Sequence, residues 1–411
     1  MTVASLLRAA LTPMVKTGTL SFEFADGQTI TLGDDTGPPV VARFADKSAP
    51  WALLLDPDLR TGELFTDGRL VLEKGTIYDL LILILQHGQD TSQNWSSRLM
   101  DGVRSALRML SKGNDMLRAR RNVSHHYDLD DRLYALFLDP EWQYSCAYFE
   151  RPGQSLAEAQ QAKMQRIAAK LALRGGERVL DIGCGWGGLA CYLAGSVGAA
   201  EVLGLTLSEE QVGRARDRAD AERLAARVKF AVQDYRQVEG CFDRIVSIGM
   251  FEHVGRAWYD NFFQVCRARL ADDGVMLLHT IGVLDGPSLT NPWITKYIFP
   301  GGHLPALSEI VPAIERSGLM VTDVEVLRLH YAETLSAWRS AFMRHRTEAV
   351  ALFDERFCRM WEYYMSMSES AFRCEGVVVF QIQICRRIDA LPITRGYMTA
   401  ADAENAEVCA A

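Results

Sequence analysis

The stretch GMFEHVG, residues 249–255, ends an apolar run with a carboxylate and an imidazole side by side, Glu252 and His253. Such a pair suits a metal ligand, a general base or a solvated strand end. A metal would need further ligands at matching spacing, and none surrounds the pair. A second candidate is VLDIGCGWGG, in which Gly183, Gly185 and Gly188 keep a G-x-G-x-x-G spacing after an apolar strand, with Gly187 inside the loop and Asp181 two residues ahead. Glycine is needed where the backbone turns tightly and a ligand comes close to it.

The glycine loop alone fits a nicotinamide dinucleotide as well as S-adenosylmethionine. A dinucleotide site wants an acid at the end of the second strand, about 20 residues on, for the ribose hydroxyl. Here that strand ends in GLTLS, with Thr206 and Leu207 and no carboxylate. Asp181 sits instead inside the first turn, and Asp234 with Tyr235 follows the third strand, where an adenine can lie. S-adenosylmethionine is therefore the expected ligand. Asp181 can also cap the loop's own amides.

These residues require a strand–helix scaffold. The runs 178–184, 201–207, 227–235, 242–250 and 275–282 read as buried strands, most of them separated by helical stretches. That pattern predicts a doubly wound α/β fold with a mostly parallel, Rossmann-like sheet. The runs 319–327 and 376–384 complete it, the last strand antiparallel. Ahead of it, a short amphipathic helix within 1–15, a hairpin turning at Asp26-Gly27, strands at 39–44 and 69–75 and a helix over 76–88 read as a smaller α+β domain. The expected boundaries are 1–90 for this domain, 91–121 for a helical linker, 122–387 for the catalytic domain and 388–411 for a flexible tail.

The length of 411 residues suits two domains. A net charge of −8 argues against a nucleic-acid binder. Nine scattered cysteines, none in a C-x-x-C pair, read as reduced cytosolic thiols and not as a disulfide framework or zinc site. No metal is expected. The N-terminus lacks the pattern of a signal peptide, and no apolar run reaches the roughly 20 residues that span a bilayer. Any membrane contact is thus expected to be peripheral. The linker carries Arg104, Arg108, Lys112, Arg118, Arg120 and Arg121, either as a solvated helical face or as a dock for anionic lipid.

Several segments together carry a family resemblance: SHHYDLDDRLYALFLDPEWQYSCAYF (124–149), VLDIGCGWGG, TLSEEQ (206–211), SIGMFEHVG, LLHTIG (277–282), NPWITKYIFPGGHLP (291–305) and HYAETL (330–335). Over roughly 120–386 the chain resembles the cyclopropane-fatty-acid synthase family, which includes the mycolic acid cyclopropane synthases. The first 110 residues resemble, more loosely, the lipid-binding-type domain that precedes many bacterial members. The resemblance implies transfer of the S-adenosylmethionine methyl onto a cis double bond of a phospholipid acyl chain. It further implies a carbocation that closes to a ring by losing a proton to a bound bicarbonate ion. In that scheme Glu252 binds the bicarbonate hydroxyl, His279 and Tyr331 donate hydrogen bonds, and Cys146 and the Ile281 backbone complete the cradle. Tyr331, Tyr297, Trp293 and Phe299 are candidates for π-face stabilisation of the cation. For the cofactor the match carries over Tyr144 and Ser145, the 180–188 loop, Thr206 to Gln211, Asp234 with Tyr235, and Ile248. The implied partner is unsaturated phospholipid at the inner face of the cytoplasmic membrane, and a homodimer is compatible with the family. Ser368 stands where many members have cysteine.

Plainer roles compete with each assignment. Cys146 reads as a small buried hydrophobe, His279 as a satisfied core histidine and His253 as a structural neighbour. The insert 283–306, which follows the fifth strand, is expected to form an acyl-chain tunnel or lid, with ordinary packing as the plainer alternative. Of the adjacent His125 and His126, one is expected to position the cofactor and the other to be structural. Competing functions are the same methyl transfer with a methyl-branched, methylene or hydroxylated product, methylation of a small amine, a non-catalytic lipid carrier, and a nicotinamide oxidoreductase.

Overall fold

The computed structural model describes residues 2–87 and 130–398. The basic linker and His125 and His126 lie outside these residues, as does Cys409. By their contacts the described residues form two compact units. One combines the N-terminal residues with Leu289–Pro300 and Leu335–Val377, and the other combines residues 130–288 with Gly301–Thr334 and the chain from Val378. Two segments inside the expected range 122–387 thus pack with the N-terminal residues.

The first unit holds strands β1 (Thr19–Glu23), β2 (Thr29–Gly33), β3 (Pro39–Phe44) and β4 (Leu70–Lys74) in the order β2-β1-β3-β4. The hairpin turns at Asp26-Gly27, where the Gly27 amide donates to the Phe24 carbonyl at 2.9 Å and φ of 86° calls for glycine. Leu20 and Phe22 alternate inward, and Phe22 stacks on Phe44 at 5.4 Å. β1 pairs β3 in parallel, which the hairpin pattern does not announce. In the same unit, Trp293 on the helix Pro292–Tyr297 packs edge-on against Tyr363 of the helix Glu355–Cys374, ring centroids 4.6 Å apart.

The second unit is built on β5 (Arg178–Ile182), β6 (Glu201–Thr206), β7 (Val228–Val232), β8 (Phe242–Ile248), β9 (Leu270–Val283), β10 (Met320–Leu327) and β11 (Val377–Cys385). Their order is β10-β11-β9-β8-β5-β6-β7. The pairs β5–β6, β5–β8, β6–β7 and β8–β9 are parallel, and β10–β11 is antiparallel. Chain order reverses at β5, whose neighbours are β6 and β8, so ligands are expected at the carboxyl ends of these strands.

Side-chain alternation sorts the strands onto two faces. Leu180, Ile182 and Leu278 join the core with Phe251, Phe262 and Phe380. Val179, Val246 and Leu277 join the opposite core with Met164 and Ile167 of the helix Leu156–Lys170. Asp181, two residues after Val179, and His279, two after Leu277, consequently share the face under that helix. The segment from 388, expected to be a flexible tail, is held at its described end. Arg395 pairs Asp323 at 2.8 Å, the Tyr397 hydroxyl reaches Gln383 Oε1 at 3.1 Å, and Met398 is buried.

Candidate active site

A cavity opens at the carboxyl ends of β5, β6 and β8, and its wall includes Tyr144, Ser145, Asp181, Gly183, Gly185, Thr206, Leu207, Gln211, Asp234, Tyr235 and Ile248. The glycine loop is tied down by the Gly183 and Cys184 amides, which both donate to the Leu205 carbonyl at 2.8 and 2.9 Å. Gly187 serves packing and does not line the cavity: its φ is 81° and a Cβ there would lie 2.7 Å from the Phe230 ring. Gly188 opens the helix Gly188–Gly195 so close to the 141–143 segment that a Cβ would meet the Glu141 carbonyl oxygen at 2.4 Å. Gly188→Ala is therefore expected to displace the Gln143–Ser145 wall and weaken cofactor binding about tenfold or more, by roughly the 1–3 kcal/mol of an overpacked contact. Calorimetric titration, with far-UV circular dichroism unchanged, checks this.

The cavity's polar groups are pre-positioned. Thr206 Oγ1 donates to Gln211 Oε1 at 2.6 Å, and Ser208 caps the helix Glu209–Ala221 that carries Gln211. Asp234 accepts from Arg236 Nε and Nη2 at 2.8 and 2.6 Å. Asp181 is buried with Oδ2 unpartnered. Burial raises its carboxyl to about 7, against the opposing pull of Lys163. A buried acceptor facing a cavity calls for a donor, and the ammonium of a bound amino acid supplies one.

The residues assigned to the base cradle fall into two groups. Glu252, in the turn Phe251–His253 after β8, accepts the Ile281 amide on Oε1 at 2.6 Å while its buried Oε2 has no partner. Burial pushes this carboxyl up to about 7. His279, two residues before Ile281 on β9, takes a hydrogen bond on Nδ1 from Gln381 Nε2 at 3.1 Å. Its proton then resides on Nε2, and burial pulls its pKa down to about 3, so the ring is a neutral donor. In the second group, Cys146 Sγ donates to the Ala147 carbonyl at 3.3 Å, and the Ala147 amide donates to Thr334 Oγ1 at 3.0 Å. Thr334 lies one turn after Tyr331 on the helix His330–Arg344. Cys146 is fully buried and its thiol is pushed far up by desolvation, so it is no nucleophile. Trp293, Tyr297 and Phe299 belong to the first unit, where Trp293 meets Tyr363, Tyr297 donates to Glu63 at 2.9 Å, and Phe299 meets Tyr364 at 6.0 Å. Among the described residues no cluster of His, Cys, Asp and Glu is disposed to hold a metal ion.

Sequence reasoning missed the wall residues Trp142, Gln143 and Arg236. Trp186 of the 180–188 loop lines the cavity as well, and so does His253, which was expected to be only a structural neighbour. Trp142 adopts φ of 54°, Trp186 packs on it at 5.5 Å, and the Arg214 guanidinium lies over the Trp142 ring at 3.9 Å. His253 is held neutral, its pKa lowered to about 4 by burial. Lys163 was missed too, although the buried face of its helix could have revealed it: Gln160, Lys163 and Ile167 share one stripe at spacings of three and four.

Residues 114–382 match the family described as mycolic acid cyclopropane synthetase. The cyclopropane-fatty-acyl-phospholipid synthase of Escherichia coli (strain K12) is 42% identical over 264 residues, covering 64% of this chain and 67% of that protein. The tuberculostearic acid methyltransferase of Mycobacterium tuberculosis (strain ATCC 25618 / H37Rv) is 40% identical over 281 residues, 65% of each chain. A crystal structure of a mycolic acid cyclopropane synthase complexed with SAH and CTAB superposes with a TM-score of 0.61 at 36% identity, covering 64% of this chain and 97% of that one. With that match over more than half its length, and the α/β sheet and glycine loop to go with it, the chain belongs to the mycolic acid cyclopropane synthetase family and is an S-adenosylmethionine-dependent methyltransferase.

Proposed function

We propose that the chain transfers a methylene from S-adenosylmethionine to the cis double bond of unsaturated phospholipid acyl chains, producing cyclopropane fatty acids at the inner face of the cytoplasmic membrane. The alkene π pair attacks the sulfonium methyl, the carbon–sulfur bond breaks, and positive charge is left on the acyl chain. Ring closure then uses the electron pair of a C–H bond on the added carbon, whose proton must leave.

The observation that carries this reading is the buried Glu252 carboxyl, with one oxygen fixed by the Ile281 amide and the other unpartnered. An unpartnered acceptor oxygen, taken with the neutral imidazole donor that lies two residues before Ile281 on the same strand, suits a small oxyanion that carries its own hydroxyl. A bicarbonate ion fits that donor set, and when bound it supplies a base without placing a protein nucleophile against the cation. Glu252 would take its hydroxyl hydrogen bond, His279 Nε2 and the Tyr331 hydroxyl would donate to it, and Cys146 and the Ile281 backbone would close the cradle. Asp181 would hold the cofactor's amino group, with Tyr144, Ser145, Thr206, Gln211, Asp234 and Ile248 around the rest.

Peripheral membrane contact draws support from the exposed Trp51 and Leu55 on the helix Ala49–Leu55 and from the basic composition of 91–121. Among the described residues no helix is long and apolar enough to cross a membrane. The expected division into a lipid-binding-type domain and a catalytic domain is part of the same proposal.

The test incubates purified protein with S-adenosylmethionine and vesicles of cis-unsaturated phospholipid, followed by fatty-acid mass spectrometry and proton NMR. A gain of one methylene equivalent with cyclopropane resonances is expected, and no gain overturns the reading. The 40% identity to a tuberculostearic acid methyltransferase favours a second reading, in which the same cation ends as a methyl-branched or methylene chain. Added carbon without ring protons decides for it.

A further inference from the structure

Lys163 is a fully buried lysine in the middle of the helix Leu156–Lys170. Its ammonium donates to Gln143 Oε1 at 2.5 Å and to Ser145 Oγ at 2.9 Å. Both acceptors are neutral, and both belong to residues of the cavity wall. Removing an ammonium from water is expensive unless opposite charge compensates it. The compensating charges are Asp139, whose carboxylate accepts the Glu141 and Gln143 amides at 2.9 Å each, and Asp181 at the end of β5.

Holding the 143–145 segment in place does not require this charge. Gln160, one turn earlier on the same helix face, already donates to the carbonyls of Gln143 and Ser145 at 3.2 and 2.9 Å. A neutral side chain at 163 would complete such a staple at lower desolvation cost. The charge therefore answers to something else on this face of the sheet, where side-chain alternation sets Asp181 and His279 beneath the helix.

We propose that Lys163 is a positioning residue of the cofactor site: its ammonium pins Gln143 and Ser145 to the cavity wall and supplies the counter-charge for the Asp181 carboxylate. The inference rests on the reading of the cavity as the S-adenosylmethionine site. The groups that face Lys163 are Asp139, Cys146 and Asp181, and His279 lies within its field. Asp181 is faced by Lys163 and by the Cys184 thiol. Lys163 itself is pulled down to about 8 by burial, so it remains mostly charged near neutrality.

The test is calorimetric binding of S-adenosylhomocysteine to the full chain at a series of pH values, for wild type, Lys163→Met and Gln160→Leu. Wild-type affinity is expected to fall below about pH 7, where Asp181 takes up its proton. In Lys163→Met the acid limb moves up by about one pH unit or more, the size of shift that loss of a neighbouring opposite charge produces. Binding at neutral pH then weakens about tenfold or more. Gln160→Leu, which loosens the same segment and leaves the charge, weakens binding by one factor at every pH and leaves the limb in place. Should the Met variant not fold, Lys163→Gln serves the same comparison. An unmoved acid limb in a folded neutral variant overturns the electrostatic role and leaves the cofactor reading standing. Failure of the wild type to bind at any pH overturns both.

Discussion

Glu252→Gln is expected to lower turnover about 10²–10⁴-fold, the range associated with loss of a positioned base. Affinity for the cofactor should change little, because the Glu252 carboxyl holds the Ile281 amide and an unpartnered oxygen and does not line the cofactor cavity. Folding stability should move the opposite way from activity. The carboxyl is raised from its ordinary 4.5 to about 7 by burial, so the folded chain binds this proton more tightly than the unfolded one. Its contribution favours folding at low pH and is progressively lost as pH rises from about 4.5 through 7. At about pH 8 the wild type carries a buried charge that the amide does not. The variant should therefore melt at the same temperature or higher at about pH 8, with the difference shrinking at about pH 5. Single-turnover assays on vesicles and paired thermal scans read both effects. Equal losses in turnover and cofactor affinity would remove Glu252 from the cradle.

Asp181→Asn should give the reverse pattern. Its Oδ2 is buried and unpartnered in the cavity wall, and a charge-assisted hydrogen bond to an ammonium contributes about 1.5–3 kcal/mol. Cofactor affinity is thus expected to fall about 10²-fold, while turnover at saturating cofactor stays within a few-fold of wild type. Calorimetry and saturation kinetics on the same preparation separate the two quantities. The two variants together distinguish a site that binds from a site that removes a proton. A loss of turnover without loss of affinity in Asp181→Asn would displace the ammonium from this carboxylate.

The second unit was legible because buried strands leave continuous apolar runs. All seven of its strands were located from such runs, with ends shifted by at most three residues except at β9, which starts five residues earlier than its run. The hairpin and the strands at 39–44 and 70–74 were equally plain. The helices Ala49–Leu55 and Pro57–Thr66 were not, since short segments with proline at their first turns carry too few apolar repeats to show a period. In the site, residues that touch the cavity through a motif were visible, whereas those that act from behind it were not. Gln381 sets the tautomer of His279 from a strand about a hundred residues away, and no local spacing encodes that contact. Lys163 and Gln160 did leave a trace, as polar residues on a buried helical stripe. Trp142 left none, because a left-handed tryptophan is a property of the backbone around it.

The composition of the first unit bears on how this chain can be recombined with its relatives. A single breakpoint after the linker would separate the N-terminal residues from Leu289–Pro300 and Leu335–Val377, the segments they pack with. It would leave Glu63 without Lys296 and Tyr297, and Phe65 without the Tyr363 ring. Gly62, where a Cβ would lie 2.5 Å from the Trp293 indole, would lose the surface it was shaped to meet. A chimera intended to exchange the N-terminal module must therefore transplant three pieces of chain together, and libraries built on one crossover will be dominated by mismatched halves.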